Sequence, residues 1–247
     1  ARVVANGGVV IPFQNGVDAP SVLAAELGAE RVLGGTCGTI SRVTEPGVIT
    51  SVGTVNFVKF GELDDRPSDR TAALLAVLER AGVQAKIPSS IHEAMWEKFV
   101  FVVSMGGVGA VSRAPVGVTR ALPETRAMLE ASMREICDVG RAHGIALPAN
   151  VVERSMALVD GLAFDGTTSM QRDIESGRRS ELEAWCGAVV RLGRECGVAT
   201  PVNSFCYASL LPQDGGHRLQ VAVADTGIGI PAEFVPRLFE SFSQADG

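Results

Sequence analysis

A chain of 247 residues that is 46% hydrophobic and 20% charged can bury a sizeable core, which excludes a disordered chain and leaves room for two modest domains. Its formal net charge of -6, with the 22 lysines and arginines scattered, offers no broad positive field for nucleic acid or an anionic lipid surface. The longest low-charge run, 99–111, falls short of a membrane span and carries Gly106, Gly107 and Gly109, so a soluble chain is expected. Five cysteines, Cys37, Cys137, Cys186, Cys196 and Cys206, form no CxxC or Cys/His cluster; this argues against a zinc site and a full disulfide framework and for a reducing cytoplasm. No charged segment precedes an apolar one in the manner of a signal peptide.

In chain order, residues 8–13 are a short apolar run ending in Gln14-Asn15-Gly16, the pattern of a buried strand that opens into a turn. Ligands of α/β sheets gather at such ends. Asn15 is either a turn residue held by its own side chain or an amide aimed at a ligand, and residue type favours the turn. A brief helix is predicted over 21–27, ending at Gly28. Residues 31–62 are rich in Val, Ile, Thr and Gly with Pro46-Gly47 between two runs, which predicts strands joined by a turn. Leu74, Leu75, Val77 and Leu78 mark a helix over 71–80 that stops at Gly82, and 83–87 is a last short strand before Pro88.

The next helix spans at least 91–103, with Ile91, Met95, Lys98 and Val102 sharing one face. That stripe is apolar except for Lys98, and the positions able to pair with it inside the helix carry no charge. Against apolar walls a lysine loses part of its preference for the ammonium form, and its pKa falls toward roughly 7 to 8, where it can give up a proton near neutral pH. The competing reading has its stem packed and its head in water. Two glycine-rich runs, Gly34-Gly35-Thr36-Cys37-Gly38 and Gly107-Val108-Gly109, lack the GxGxxG spacing after a strand and read as close-packing or turn glycines.

Strand signals then stop. Residues 124–143 form a strongly amphipathic helix ended by Gly144, and 151–159 and 169–175 are further helices. Ser180-Glu181-Leu182-Glu183 has capping-box spacing and introduces another, with Leu182, Trp185, Cys186, Val189 and Val190 inward. By residue type, Ser169 and Glu181 suit ordinary helix starts as readily as ligand contacts. The expected fold class is an α/β piece over 1–88, an all-α helical bundle over 89–213 and a strand–turn–helix appendage over 214–247.

Four stretches carry a resemblance: Ile11-Pro12-Phe13-Gln14-Asn15-Gly16, Trp96-Glu97-Lys98-Phe99, Ser169-Met170 followed by Asp173 and Glu181, and Gly197-Val198-Ala199-Thr200-Pro201-Val202-Asn203. Over about residues 1–212 the chain resembles the ketopantoate reductase (2-dehydropantoate 2-reductase) family. The resemblance implies a Rossmann domain that binds NADPH and a helical domain that closes over a 2-oxo acid, with 1–88 an N-terminally truncated remnant lacking the phosphate-binding loop. It implies reduction of ketopantoate to pantoate, a step of pantothenate biosynthesis, impaired by that loss. Lys98 would be the general acid. Asn15 would touch substrate or cofactor, Ser169 would bind substrate, and Glu181 would help hold the cofactor or substrate and support the lysine. A homodimer is implied as well. Where well-known members of the family carry amides, this chain has Val102 and Gly106, so the usual polar grip on substrate is absent or rebuilt.

The last residues resemble something else. Asp225-Thr226-Gly227-Ile228-Gly229 and Phe239-Glu240-Ser241-Phe242 are similar to two boxes of histidine-kinase ATP-binding domains, covering about 218–247. That resemblance places Asp225 at adenine and Gly227 and Gly229 in a lid, in a segment too short to enclose ATP. Two rival readings follow: an ATP-binding signalling fragment, or a non-catalytic helical dimerisation module.

Overall fold

The computed structural model describes residues 8–213; the kinase-like segment with Asp225, Gly227 and Gly229 lies outside them. A small three-stranded sheet packs against a larger helical body. Strands β1 (Leu33–Glu45) and β2 (Val48–Glu62) form an antiparallel hairpin, and β3 (Ala85–Lys86) joins β2 in parallel, giving the order β1-β2-β3. The hairpin turns at Pro46-Gly47, where Gly47 takes φ 82°. That is the proline-then-glycine order of a type II turn.

Residues 8–13 do not form the buried strand expected of them. They make one isolated parallel bridge, in which Val10 N–H donates to Arg31 O (2.8 Å) and Leu33 N–H donates to Val10 O (3.0 Å). Pro12 has no N–H with which to continue a ladder, and Val9 is exposed. The helices before the bundle fall close to expectation: α1 (Ala19–Leu27), ending at Gly28 with φ 91°, and α2 (Asp69–Arg80), whose Ser68 hydroxyl caps the Thr71 N–H at 3.2 Å.

Helix α3 (Ile91–Ser112) ties the two parts together. Its first residue, Ile91, is 1% exposed and sits over the cross-strand pair Gly34 and Gly61; a Cβ at Gly34 would lie 2.7 Å from Ile91 Cγ1. The glycines are what make room for it. The helix continues past 103 through Gly106, Gly107 and Gly109, because each lets a neighbour approach: Trp185 and Met170 at Gly106, Cys186 and Cys206 at Gly107, Gln171 at Gly109. Of the two readings open for Gly107 and Gly109, close packing and a turn, it is the first that the helix shows. At 22 residues α3 is long and apolar enough to cross a membrane, which the run 99–111 alone did not suggest, yet 72% of its apolar stretch is buried within the fold.

Around α3 lie α4 (Val116–Ala121), α5 (Pro123–Ala142), α6 (Val151–Asp160), α7 (Ser169–Glu175), α8 (Ala188–Cys196) and α9 (Pro201–Leu210). Their shared core includes Phe99, Val103, Met133, Ile136, Met170 and Leu182. Helix α8 is preceded by a π-helical turn, Glu183–Gly187, in which Gly187 N–H reaches back to Leu182 O at 3.1 Å. The expected reciprocal capping box is replaced: Ser180 Oγ accepts from Leu182 N–H (3.1 Å), and the Glu183 carboxylate accepts from the Tyr207 hydroxyl (2.5 Å).

The motif that ends in Asn203 has a structural role. Thr200 precedes α9 but makes no side-chain cap. Glu135 of α5 takes that place, accepting from Val202 N–H (2.8 Å), Asn203 N–H (3.0 Å) and Asn203 Nδ2 (2.7 Å). A carboxylate at a helix N-terminus is favoured by the unpaired N–H groups there. Ser132 extends the network, donating to Asn203 Oδ1 (3.1 Å) and sharing a hydroxyl bond with Ser104 (2.9 Å).

Candidate functional site

The loop after the Val10 bridge lies on the start of the π-helical turn. Asn15 Nδ2 donates to both carboxylate oxygens of Glu181, at 3.3 and 3.2 Å. Gly16, at φ 108°, brings the backbone so close that a Cβ would stand 3.4 Å from Ala184 O. Asp18 pairs with Arg191 of α8 at 2.5 Å. Asn15 is therefore more than a self-satisfied turn residue, because its amide is spent on a carboxylate contributed by the helical body.

Lys98 arrives at the same place from α3. Its Nζ donates to the main-chain carbonyl of Cys37 on β1 at 2.5 Å, and the Cys37 thiol turns to Phe13 O at 3.7 Å. The head thus ends on the sheet, which rules out the reading that sends it into bulk water. Burial lowers the Lys98 pKa below the ordinary lysine value, opposed by the charges of Cys37 and Glu181, which raise it. The distant carboxylate that the helix itself could not supply is Glu181.

Ser169 stands apart. It is the first residue of α7, exposed, and its side chain makes no hydrogen bond among the described residues; the cap belongs to Thr168, whose hydroxyl accepts from Gln171 N–H at 3.1 Å. The next residues, Met170 and Gln171, reach α3 at Gly106 and Gly109. The structure therefore joins Lys98, Asn15 and Glu181 at one seam and leaves Ser169 at its margin.

Two clefts, of about 690 Å³ between α5 and α6 and about 420 Å³ beside β2 and α2, include none of these four residues. The site's polar groups are instead turned on one another. Among the described residues, no cluster of three or more His, Cys, Asp or Glu is placed to hold a metal ion. The partner missed at the level of sequence is the Cys37 carbonyl, and a backbone oxygen leaves no signal in residue type.

A lysine of lowered pKa, an amide and a carboxylate thus meet where the small sheet of this mixed α/β protein abuts its helical bundle. Two family profiles match it: "Ketopantoate reductase PanE/ApbA C terminal" over residues 90–212 and "Ketopantoate reductase PanE/ApbA" over residues 1–65. The chain belongs to the ketopantoate reductase family. It is similar to 2-dehydropantoate 2-reductase of Halobacterium salinarum, 30% identical over 197 residues that cover 80% of this chain and 64% of that protein. Among solved structures, 2-dehydropantoate 2-reductase from Geobacter metallireducens superposes with TM-score 0.78 at 28% identity, covering 84% of this chain and 69% of that one. D-mandelate dehydrogenase in complex with NADH shares the fold, with TM-score 0.78 at 20% identity, covering 86% of this chain and 72% of that one. The chain spans about two thirds of the length of the curated relatives it matches.

Proposed function

We propose that this chain carries the proton-donating half of a nicotinamide-dependent reductase of 2-oxo acids, with ketopantoate the first substrate to test. One observation carries the reading: Lys98, lowered in pKa by burial, is held at the seam beside the Asn15–Glu181 pair. Hydride addition to a ketone builds negative charge on oxygen. The substrate's carbonyl oxygen takes the place of the Cys37 carbonyl on Lys98 Nζ, and the ammonium first stabilises that charge and then delivers its proton.

When bound, the cofactor supplies the hydride. The donor set fits its nicotinamide end, since Asn15 offers an amide and Glu181 a carboxylate suited to a carboxamide or a sugar hydroxyl. It does not fit the phosphates: the glycines Gly34, Gly35 and Gly38 are filled by Ile91, Ile11 and Phe57. NADPH as the cofactor follows the family resemblance, while the mandelate dehydrogenase neighbour holds NADH; the choice between them belongs to the test. Residues 1–88 are proposed as the part of a Rossmann-type domain next to the site, and 89–213 as the helical domain.

The same proposal includes a homodimer and a cytoplasmic setting. Leu158 on α6 and Phe164 after it are 60% and 61% exposed, apolar surface that a second copy would cover, and all five cysteines are free thiols. The deciding measurement is oxidation of NADPH, then NADH, with ketopantoate, comparing this chain with Lys98→Ala. The variant is expected to lose about 10²- to 10⁴-fold in rate, and an unchanged rate would overturn the assignment.

A further inference from the structure

We infer that Glu183 and Tyr207 are positioning residues, whose contact fixes the π-helical turn that aims Glu181 at Asn15 and Lys98. The inference rests on the reductase reading above and deepens it. π-Helical turns are rare, occur mostly as single turns and are frequent at functional sites. Here Gly187 N–H donates to Leu182 O, five residues back, at 3.1 Å. Glu181 stands at the start of the turn, where its own carbonyl accepts from Trp185 N–H at 3.0 Å. One residue more in the turn than an α-helix holds rotates whatever precedes it by about 100° relative to α8. The direction of the Glu181 carboxylate thus depends on the turn keeping its form.

The turn is held differently on its two sides. Trp185, Cys186 and Gly187, with Leu182 just ahead of them, are buried against the core and fix the inner side. Glu183 and Ala184 are exposed, and among the described residues one side-chain hydrogen bond ties that outer side down: Tyr207 OH donates to Glu183 Oε2 at 2.5 Å. Gly187 leaves room for this contact, since a Cβ there would lie 3.0 Å from Tyr207 Cε2 and 3.1 Å from Glu183 Cδ. Tyr207 belongs to α9, whose start is clamped to α5 by Glu135. The turn is therefore latched to a helix that is itself anchored.

The charges around the two side chains separate an effect of position from a direct one. Those that act on Lys98 are Cys37 of β1 and Glu181. Those that act on Tyr207 are Glu183 and Arg194 of α8. Neither Glu183 nor Tyr207 acts on Lys98 itself, so breaking their contact reaches the lysine only by moving Glu181. The Glu181 charge raises the Lys98 pKa, and drawing it away lets that pKa fall.

The test titrates Lys98 in the purified full chain by side-chain NMR and, with ketopantoate and NADPH, follows the alkaline limb of the pH–rate profile. Tyr207→Phe and Glu183→Ala are each expected to move the Lys98 titration to lower pH, by part of the shift that Glu181→Gln produces. Glu183→Gln keeps an oxygen able to accept from Tyr207 and is expected to leave the titration in place. Adding Tyr207→Phe to Glu181→Gln is expected to give no further shift, since both act through one carboxylate. A titration unmoved by Tyr207→Phe and Glu183→Ala, one moved as far by Glu183→Gln as by Glu183→Ala, or additive shifts in the double variant would each overturn the latch and leave the reductase assignment intact. If the wild-type chain turns over no 2-oxo acid, the reductase assignment falls, while the NMR titration still decides whether the contact holds Glu181 on the lysine.

Discussion

In the proposed reaction Lys98 concentrates the chemistry, because two opposing influences meet on one amine: burial lowers its pKa, while the charges of Cys37 and Glu181 raise it. Two consequences can be measured. Between the lowered folded value and the ordinary value of about 10.4, the unfolded chain holds a proton that the folded chain lacks, so stability rises with pH across that window. Urea unfolding is expected to show that rise on the alkaline side in the wild-type protein and to lose it in Lys98→Met. Glu181→Gln removes a charge that favours the ammonium, so the Lys98 pKa falls further. The alkaline limb of the pH–rate profile is then expected to move to lower pH, and an unmoved limb would separate Glu181 from the lysine. At this scale the lysine was legible, since one cation interrupts an otherwise apolar stripe. Its acceptor was not. Family likeness gave Asn15 and Glu181 separate roles at one site but not their direct pairing, because a side-chain contact between residues 166 apart leaves no local pattern.

Helix and strand boundaries were read well where caps and glycines punctuate the chain. Helix α7 (Ser169–Glu175) falls where expected, α2 and α5 end at positive-φ glycines, and the hairpin turns at Pro46-Gly47. The failures share a cause, which is tertiary contact overriding a local signal. The helix expected over at least 91–103 runs on to Ser112, because the glycines beyond it give space to Trp185, Cys186 and Gln171. Helix α9 has no cap of its own because Glu135, far away in sequence, supplies it. The strand expected over 8–13 lost its ladder at Pro12, and the π-helical turn before α8 has no residue signature. Glu135→Ala tests the borrowed cap. It strands the Val202 and Asn203 backbone N–H groups, at roughly 1–3 kcal/mol for each donor left buried and unsatisfied, and leaves Asn203 Nδ2 with Ser132 O alone, read as a drop in the urea midpoint. Loss of under about 0.5 kcal/mol would mean that water replaces the carboxylate without penalty.

The two-part layout, sheet first and helices after, was visible in the change from strand to helix periodicity near Pro88. How the parts join was not, because the seam is made by single residues: Ile91 over its glycine pair, Lys98 on Cys37, Asn15 on Glu181, Asp18 on Arg191. The last of these is half-exposed on both sides, and such pairs contribute no more than about 1 kcal/mol. Arg191→Ala is therefore expected to leave the urea midpoint nearly unchanged while speeding amide hydrogen exchange in residues 14–18, the segment it pins. A large fall in global stability would show that the pair carries more of the fold than its exposure suggests. The separations of 166 and 173 residues across Asn15–Glu181 and Asp18–Arg191 also have a bearing on biosynthesis. At about 5–20 residues per second, the ribosome delivers the carboxylate and the guanidinium roughly ten to thirty seconds after the groups that await them. For that interval the early loop has no partner to engage, so the proposed site closes only after the helical body has been made through Glu181 and Arg191.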